Sequence, residues 1–266
     1  MVGAALIGLS PTVAAALAAV LGLVIGSFLN VVVHRVPLGE SVVSPPSACP
    51  RCGELIRDRH NVPVVGWLVL RGRCYDCGSA ISARYPLVEV GTGALFALTA
   101  WRFADQPLLL PAYLAFGAAA VALALIDLDV HRLPNVIVLP AYPVLAALLA
   151  LGGGADDLVR AATGALLLFG FFLAVAVAAR GGIGFGDVKL AGVVGGMTAA
   201  VSWGAFLTSA FGGFLLGAIA GVLLVLGRRA NRKTAVPFGP FMLLAAWASI
   251  LGAGGIGQVY LERVGG

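Results

Sequence analysis

Two aspartates at the edges of apolar segments are the residues best suited to do chemistry. Asp127 lies in ALIDLDVHRLPN (124–135), and Asp187 lies in GGIGFGDVKL (181–190). A carboxylate beside hydrocarbon is costly, so its presence predicts a functional role. Two carboxylates that face each other at one membrane depth cannot both ionise easily and would share one proton. The ionised group can activate water while the protonated group donates to a peptide carbonyl, which is the chemistry of an aspartic protease.

The residues next to each aspartate suit such a pair. Asp129 is two positions after Asp127, and in a helix that spacing puts it on a different face, so only one of them can join the site. Gly184 and Gly186 allow unusual backbone angles and the close approach of an extended substrate beside Asp187. The alternative interpretation of GFGD is a glycine-rich turn whose aspartate caps the next helix.

The composition indicates a polytopic membrane protein. The 266 residues are 60% hydrophobic and only 11% charged, with a mean hydropathy of +1.02, whereas soluble domains have about 25% charged residues. We therefore predict an all-α fold of about eight transmembrane helices, which the 37 glycines would let pack closely. The N-terminus lacks a basic n-region and is interpreted as a retained first helix. The apolar runs are 12–33, 87–103, 107–126, 135–152, 158–179, 188–201, 203–227 and 237–255.

The basic residues predict the topology. Threading eight helices through the bilayer with the N-terminus outside leaves four segments inside, and these carry most of the bases. Both aspartates then fall at the cytoplasmic membrane edge. The net charge of +5 is interpreted as topology and contact with anionic lipid, not nucleic-acid binding. The inside segments are 34–86, 127–134, 180–187 and 228–236, and their bases include Arg35, Arg132, Arg180, Arg228, Arg229, Arg232 and Lys233.

Four cysteines in segment 34–86 form two C-x-x-C pairs. Cys49 and Cys52 belong to CPRC, and Cys74 and Cys77 belong to CYDC. Two such pairs at this spacing predict a structural, zinc-ribbon-like site, and the metal would supply folding energy that a short loop lacks. Two disulfides or four free thiols are the alternatives, although a cytosolic location disfavours disulfides. His60 is a candidate substitute ligand, but an exposed loop histidine is the simpler interpretation.

The chain resembles the type IV prepilin peptidases, which are bifunctional leader peptidases and N-methyltransferases of the GxGD aspartic membrane protease class. The resemblance runs along nearly the whole chain, and Asn135 replaces the aspartate that many relatives carry. Besides the two cysteine pairs, the segments that carry it are GSFLNVVVHRVP (26–37), NVPVVGWLVLRGRCYDC (61–77), ISARYPLVEV (81–90), IDLDVHRLPN (126–135), GFGDVKL (184–190) and PFGPF (237–241).

The resemblance implies an activity and a place for it. Asp127 and Asp187 correspond to the catalytic pair, and Gly184, Phe185, Gly186 and Lys189 would support the catalytic loop. The family cleaves a basic leader after a glycine, at the cytoplasmic face of the bacterial inner membrane. It acts on prepilins or pseudopilins and then methylates the new N-terminal residue with S-adenosylmethionine. Methyl transfer is associated with the cytoplasmic segment, so the resemblance implies a first helix at 1–33, a methyltransferase-associated loop at 34–86 and a peptidase domain at 87–266.

Several residues and two other functions stay open. Glu89 has either a substrate or methyltransferase role or a pairing with a nearby arginine such as Arg84. Asn30 either bonds between helices or binds a ligand, Lys189 either reaches the headgroups or biases the charge of the aspartates, and Arg35 is a topology signal or a site residue. The alternatives are a GxGD protease without methyl transfer, or a small transporter, although a proton relay predicts acids spread through the membrane depth.

Overall fold

The computed structural model describes residues 10–178, 184–227 and 237–264. Arg180 and the four bases at 228–233, which entered the topology argument, lie outside these residues. Within the described residues the chain is helical apart from its connections and two isolated β-bridges. The all-α prediction is confirmed.

The chain divides into two compact units, Met1–Leu110 and Pro111–Gly266. The first unit contains α1 (Pro11–Arg35), α2 (Val65–Val69) and α3 (Arg84–Arg102), with short 3-10 turns at Val36–Leu38 and Asp58–His60. The prediction that segment 34–86 is functionally separate from the helices on either side remains a proposal.

The second unit is a bundle of longer helices. They are α4 (Leu110–Val130), α5 (Asn135–Gly152), α6 (Ala155–Ala178), α7 (Phe185–Val201), α8 (Trp203–Leu226), α9 (Gly239–Ala248) and α10 (Gly254–Val264). A π turn at Ser249–Ala253 joins the last two, and Gly252 within it has a φ of 156°. The apolar run at 237–255 is therefore broken where glycine permits a backbone angle that other residues avoid.

Each of the eight predicted apolar runs contains a helix. Among the residues that the structure describes, six helical spans are long and apolar enough to cross a membrane, so the protein is a multi-pass membrane protein. The two other helices are α3, which carries Arg84, Glu89 and Arg102, and α7, which has 17 residues.

Small residues bring α1 and α3 together. A Cβ atom added at Gly22 would lie 2.7 Å from the Cα of Gly93, and one added at Gly26 would lie 2.8 Å from the Cα of Glu89. Helices in lipid gain little from the hydrophobic effect, so their association depends on this kind of close packing.

Arg160 of α6 closes the end of α7, the helix that carries Asp187. Its Nε donates to the Ala199 carbonyl at 3.2 Å, and its Nη2 donates to the Ala200 carbonyl at 2.9 Å. The last carbonyls of a helix lack partners within it, and a cation there also complements the helix dipole. Asp157 pairs with the same guanidinium. These bonds fix α7 at the end opposite to Asp187.

Candidate active site and metal centre

Asp127 is buried in the last turn of α4. Its side chain has 5% of its surface exposed, whereas Asp129 is exposed. The Oδ2 atom of Asp127 accepts a hydrogen bond from the Gly239 N–H at 3.1 Å. The two neighbouring aspartates therefore face different surroundings, as their helical spacing predicts.

Asp187 lies in the first turn of α7, near the end of α4 that carries Asp127, and the two aspartates are called the dyad below. Two helices, α5 and α6, separate α4 from α7, so the end of α4 and the start of α7 are at the same end of the bundle. The Asp127 and Asp187 carboxylates are close enough for their charges to interact. The N-cap of α7 is Gly184 and not Asp187, which is the third residue of the helix and bonds back to the Gly184 backbone. The Asp187 side chain therefore supports the helix start as well as lying near Asp127.

Close packing explains the glycines around the dyad better than unusual backbone angles do. Gly184 has an ordinary φ of −67°, and Gly186 is helical, so neither uses a positive φ. A Cβ atom at Gly186 would lie 3.1 Å from the Leu133 Cβ. At Gly239 it would lie 2.7 Å from Asp127 Oδ2 and 3.5 Å from Leu133 Cδ2. Leu133 thus packs against both glycine-bearing segments, and a larger residue in either would displace it or the dyad.

Lys189 ties α7 to the start of α5. Its Nζ donates to Asn135 Oδ1 and lies 5.0 Å from the centroid of the Phe185 ring. Its backbone carbonyl accepts from the Tyr142 hydroxyl at 2.6 Å. These contacts place the ammonium group of Lys189 beside the connection that follows Asp127. The sequence left headgroup contact and an effect on the charge of the aspartates open for Lys189, and the structure adds a third role, which is to stabilise this connection.

Three residues near the dyad are not evident from residue types. Gly239 contributes a backbone donor, Leu133 contributes packing, and exposed His131 interacts electrostatically with Asp127. The PFGPF segment was visible as a family motif, but a backbone N–H leaves no signature in the sequence. The sequence points to the neighbourhood of Leu133 only through the proline of the LPN motif.

The four cysteines form a cluster that fits a tetrahedral metal. Their four Sγ atoms all lie within 4.8 Å of one another, and the Cys49 and Cys77 sulfurs are 3.8 Å apart. Zinc–sulfur bonds of about 2.3 Å in a tetrahedron require sulfurs about 3.8 Å apart. All four thiols are free, and His60 is not a member of the cluster but packs on the Tyr75 ring at 5.0 Å.

The two cysteine pairs adopt the same turn. Cys49 N–H donates to the Glu54 carbonyl at 2.9 Å and Cys74 N–H to the Ser79 carbonyl at 2.8 Å. Each pair is followed by a glycine with positive φ, 78° at Gly53 and 69° at Gly78. The repeated turn aims two thiols from each pair at one point, which a closed structural site needs.

Local hydrogen bonds prepare two of the thiols to ionise. The backbone N–H groups of Cys52 and Arg51, with the Ser79 hydroxyl, lower the pKa of Cys49 to about 6. The Ser79 hydroxyl and N–H lower the pKa of Cys77 as well. The Glu54 N–H lowers the pKa of Cys52, but desolvation and the neighbouring thiols outweigh it and raise that pKa to about 12. Zinc binds thiolates, so the lowered pKa values of Cys49 and Cys77 suit it, and with four sulfur ligands its contribution would be to hold the loop together.

The remaining predicted site residues lie in the first unit. Glu89 has 7% of its surface exposed and accepts from the Val64 N–H at 2.6 Å. Asn30 Nδ2 donates to the Tyr85 carbonyl at 3.2 Å and so joins α1 to α3. Arg35 donates to two backbone carbonyls in the residues after α1, Ser41 at 3.0 Å and Pro45 at 2.8 Å.

A helical membrane protein with two interacting carboxylates at one end of a bundle has the architecture of a membrane aspartic peptidase. The chain belongs to the type IV leader peptidase family, whose model matches residues 114–257, and the model of the bacterial peptidase A24 N-terminal domain matches residues 20–103. The resemblance inferred from the motifs is confirmed.

Similar proteins are named prepilin leader peptidase/N-methyltransferase. That of Pseudomonas aeruginosa is 36% identical, over 92% of this chain and 92% of the relative. That of Dichelobacter nodosus is 35% identical, over 90% and 91%. That of Myxococcus xanthus is 40% identical, over 81% of this chain and 64% of the relative. No solved structure matches this chain.

Proposed function

We propose that this protein cleaves the basic leader from type IV prepilins or pseudopilins and then methylates the new N-terminal residue. The observation that carries the peptidase is the nearness of Asp127 and Asp187 at one end of the second unit, where their charges interact and Leu133 packs against both Gly186 and Gly239. The names of the similar proteins support both activities.

The dyad can perform the hydrolysis without a covalent intermediate. Two nearby carboxylates share one proton, and the pair titrates as a unit, so neither residue has a fixed role. The ionised carboxylate takes a proton from water, whose oxygen attacks the scissile carbonyl carbon. The protonated carboxylate donates to the carbonyl oxygen, and the proton gained from water later passes to the leaving amine. The Gly239 N–H fixes the orientation of Asp127 by bonding one of its oxygens.

The location follows from the same residues. Basic residues concentrate in the segments that contain both aspartates and the cysteines, so the positive-inside rule puts the dyad and segment 34–86 at the cytoplasmic face of the inner membrane. A basic prepilin leader would remain on that face and reach the dyad without crossing the bilayer.

Methyl transfer is proposed for the first unit. Family resemblance associates it with segment 34–86, where zinc held by Cys49, Cys52, Cys74 and Cys77 would stabilise the loop. S-adenosylmethionine would supply the methyl group that the new N-terminal amine receives. The cysteine pairs are intact here, which favours the bifunctional enzyme over a GxGD protease that only cleaves.

Substrate specificity tests the proposal against a general membrane protease. The purified protein would be offered a prepilin, a matched prepilin whose glycine before the cleavage site is replaced by leucine, and an unrelated apolar helix with a basic N-terminus. We expect cleavage of the unaltered prepilin alone. Cleavage of all three would support a protease of broader specificity, and cleavage of none would count against a peptidase.

A further inference from the structure

A strained turn stands at the entry to α2. Val64 has a φ of 63° and a ψ of −50°, and the Val65 N–H donates across it to the Pro63 carbonyl at 2.6 Å. This geometry is the γ-turn with positive φ, which is rare and strained. A β-branched residue at positive φ is a genuine outlier. Such a conformation persists only when its surroundings hold it.

Glu89 of α3 stabilises the turn with a side-chain hydrogen bond. The Val64 N–H donates to Glu89 Oε2 at 2.6 Å, and Glu89 is buried. The helix beneath it is also fixed, because Gly26 of α1 packs directly against the Glu89 backbone. The turn is thus attached to the closely packed pair of helices α1 and α3.

The turn determines the direction of the chain that follows it. The Gly66 N–H donates to the Val62 carbonyl at 2.8 Å, so α2 begins directly from the turn. The Trp67 indole N–H then donates to the Ile81 carbonyl at 3.1 Å. The Gly72 N–H donates to the Trp67 carbonyl at 2.9 Å, and Gly72 lies two residues before Cys74 of the second cysteine pair.

We propose that Glu89 is a positioning residue for methyl transfer, which acts by bonding the Val64 N–H and holding segment 61–72 in its strained course. The inference rests on the proposed methyltransferase activity and assigns a role to Glu89, which the sequence left open. It differs from a substrate contact, because the group that Glu89 serves is a backbone N–H of this chain. It also predicts that the carboxylate charge matters less than the acceptor oxygen.

Three variants separate the two roles. Glu89→Gln keeps an acceptor oxygen without the charge, Glu89→Leu removes the acceptor, and Glu89→Leu/Val64→Gly removes both the acceptor and the need for it. Glycine adopts positive φ as readily as negative φ, so it relieves the strain at this position. Thr99→Val is the matched control, since Thr99 is a buried polar residue of α3 whose hydroxyl donates to the Leu95 carbonyl of its own helix.

Each variant would be assayed with a prepilin and S-adenosylmethionine for methylation kcat, prepilin KM and cleavage rate, and for bound zinc. We expect Glu89→Leu to lower methylation kcat by about tenfold or more, because the strained turn loses its support. Glu89→Gln should stay within about threefold of the wild type, since a neutral acceptor remains. The double variant should recover most of the loss. Cleavage and zinc content should be unchanged throughout, as should all readouts of Thr99→Val.

Two results would overturn the inference. One is normal methylation by Glu89→Leu. The other is equal loss in Glu89→Gln and Glu89→Leu with no rescue by Val64→Gly, which indicates a charge that contacts the substrate. A wild type that cleaves but never methylates would instead refute the proposed methyltransferase.

Hydrogen exchange decides the case if Glu89→Leu does not fold. Glu89→Gln and Glu89→Gln/Val64→Gly are then compared with the wild type at the Val64 and Val65 amides. Methylation by Glu89→Gln within about threefold of the wild type, with little change in amide exchange, supports the inference because an acceptor oxygen remains. A loss of methylation that matches faster amide exchange and is restored by Val64→Gly supports it as well. Unchanged exchange with methylation abolished contradicts it.

Discussion

Asp127 and Asp187 are held differently although we propose that they act as one pair. Asp127 is buried and receives the Gly239 N–H, whereas Asp187 is partly exposed in the first turn of α7. An amide at either position retains the shape of the side chain but cannot share or transfer the proton.

We therefore predict that Asp127→Asn and Asp187→Asn each lower the cleavage rate by about 10³-fold, within the range typical of lost general acid–base catalysis. Prepilin cleavage by the purified variants, followed by gel shift, measures the effect. Thermal unfolding and membrane insertion should match the wild type. Cleavage that survives either change would remove the dyad mechanism.

Gly239 gives a second prediction at the scale of single residues. A Cβ atom there would lie 2.7 Å from Asp127 Oδ2, so Gly239→Ala must displace the carboxylate or the start of α9. Misplacement of a reacting group by about 1 Å can cost about 10²-fold in rate, and we expect a loss of that order.

The matched control is Gly221→Ala in α8, where an added Cβ atom meets no other atom within 4 Å. It should cleave normally and unfold at the same or a higher temperature, because alanine favours helix. Equal cleavage by both alanine variants would show that the close approach at Gly239 is not needed.

The sequence predicts the charged members of the site but not its backbone members. Helical spacing predicts that only one of Asp127 and Asp129 joins the site, and the family motif identifies Asp127 as that residue. Gly239 is separated from Asp127 by 112 positions, and its function is an N–H that nearly every residue possesses. Only the fold brings that donor to the carboxylate.

At the scale of elements, the two cysteine turns are the most predictable part of the molecule. Each is specified by C-x-x-C followed by glycine, so local sequence alone determines the turn. Helix ends are less predictable. The apolar run at 237–255 does not show that a π turn at Ser249–Ala253 separates α9 from α10, because hydropathy is insensitive to backbone angle.

The cysteine cluster predicts metal-dependent folding of segment 34–86. Cys49→Ser/Cys74→Ser removes one thiolate from each turn and should abolish stoichiometric zinc, measured by elemental mass spectrometry on the purified protein. Limited proteolysis should then cut within 34–86, since zinc would otherwise supply much of the folding energy of so short a loop. A double variant with full metal content would rule out the four-sulfur site.

At the scale of the whole molecule, topology connects the sequence to the site. Two intervening helices return the chain to the same side, so counting apolar runs is sufficient to predict that Asp127 and Asp187 share one membrane edge. Each of the eight runs contains a helix, and the end of α4 and the start of α7 lie at the same end of the bundle. That this end lies at a membrane edge stays a prediction. The count could not predict the packing of Leu133 against Gly186 and Gly239, which depends on contacts between distant segments.

The measurement that tests the central claim most directly is mass spectrometry of a prepilin incubated with the detergent-solubilised protein and S-adenosylmethionine. The Asp187→Asn variant serves as the control. We predict a product that is shortened at the bond after the leader glycine and carries one added methyl group, absent with Asp187→Asn. A prepilin that stays intact with the wild-type protein, or is shortened equally by the variant, would contradict the account.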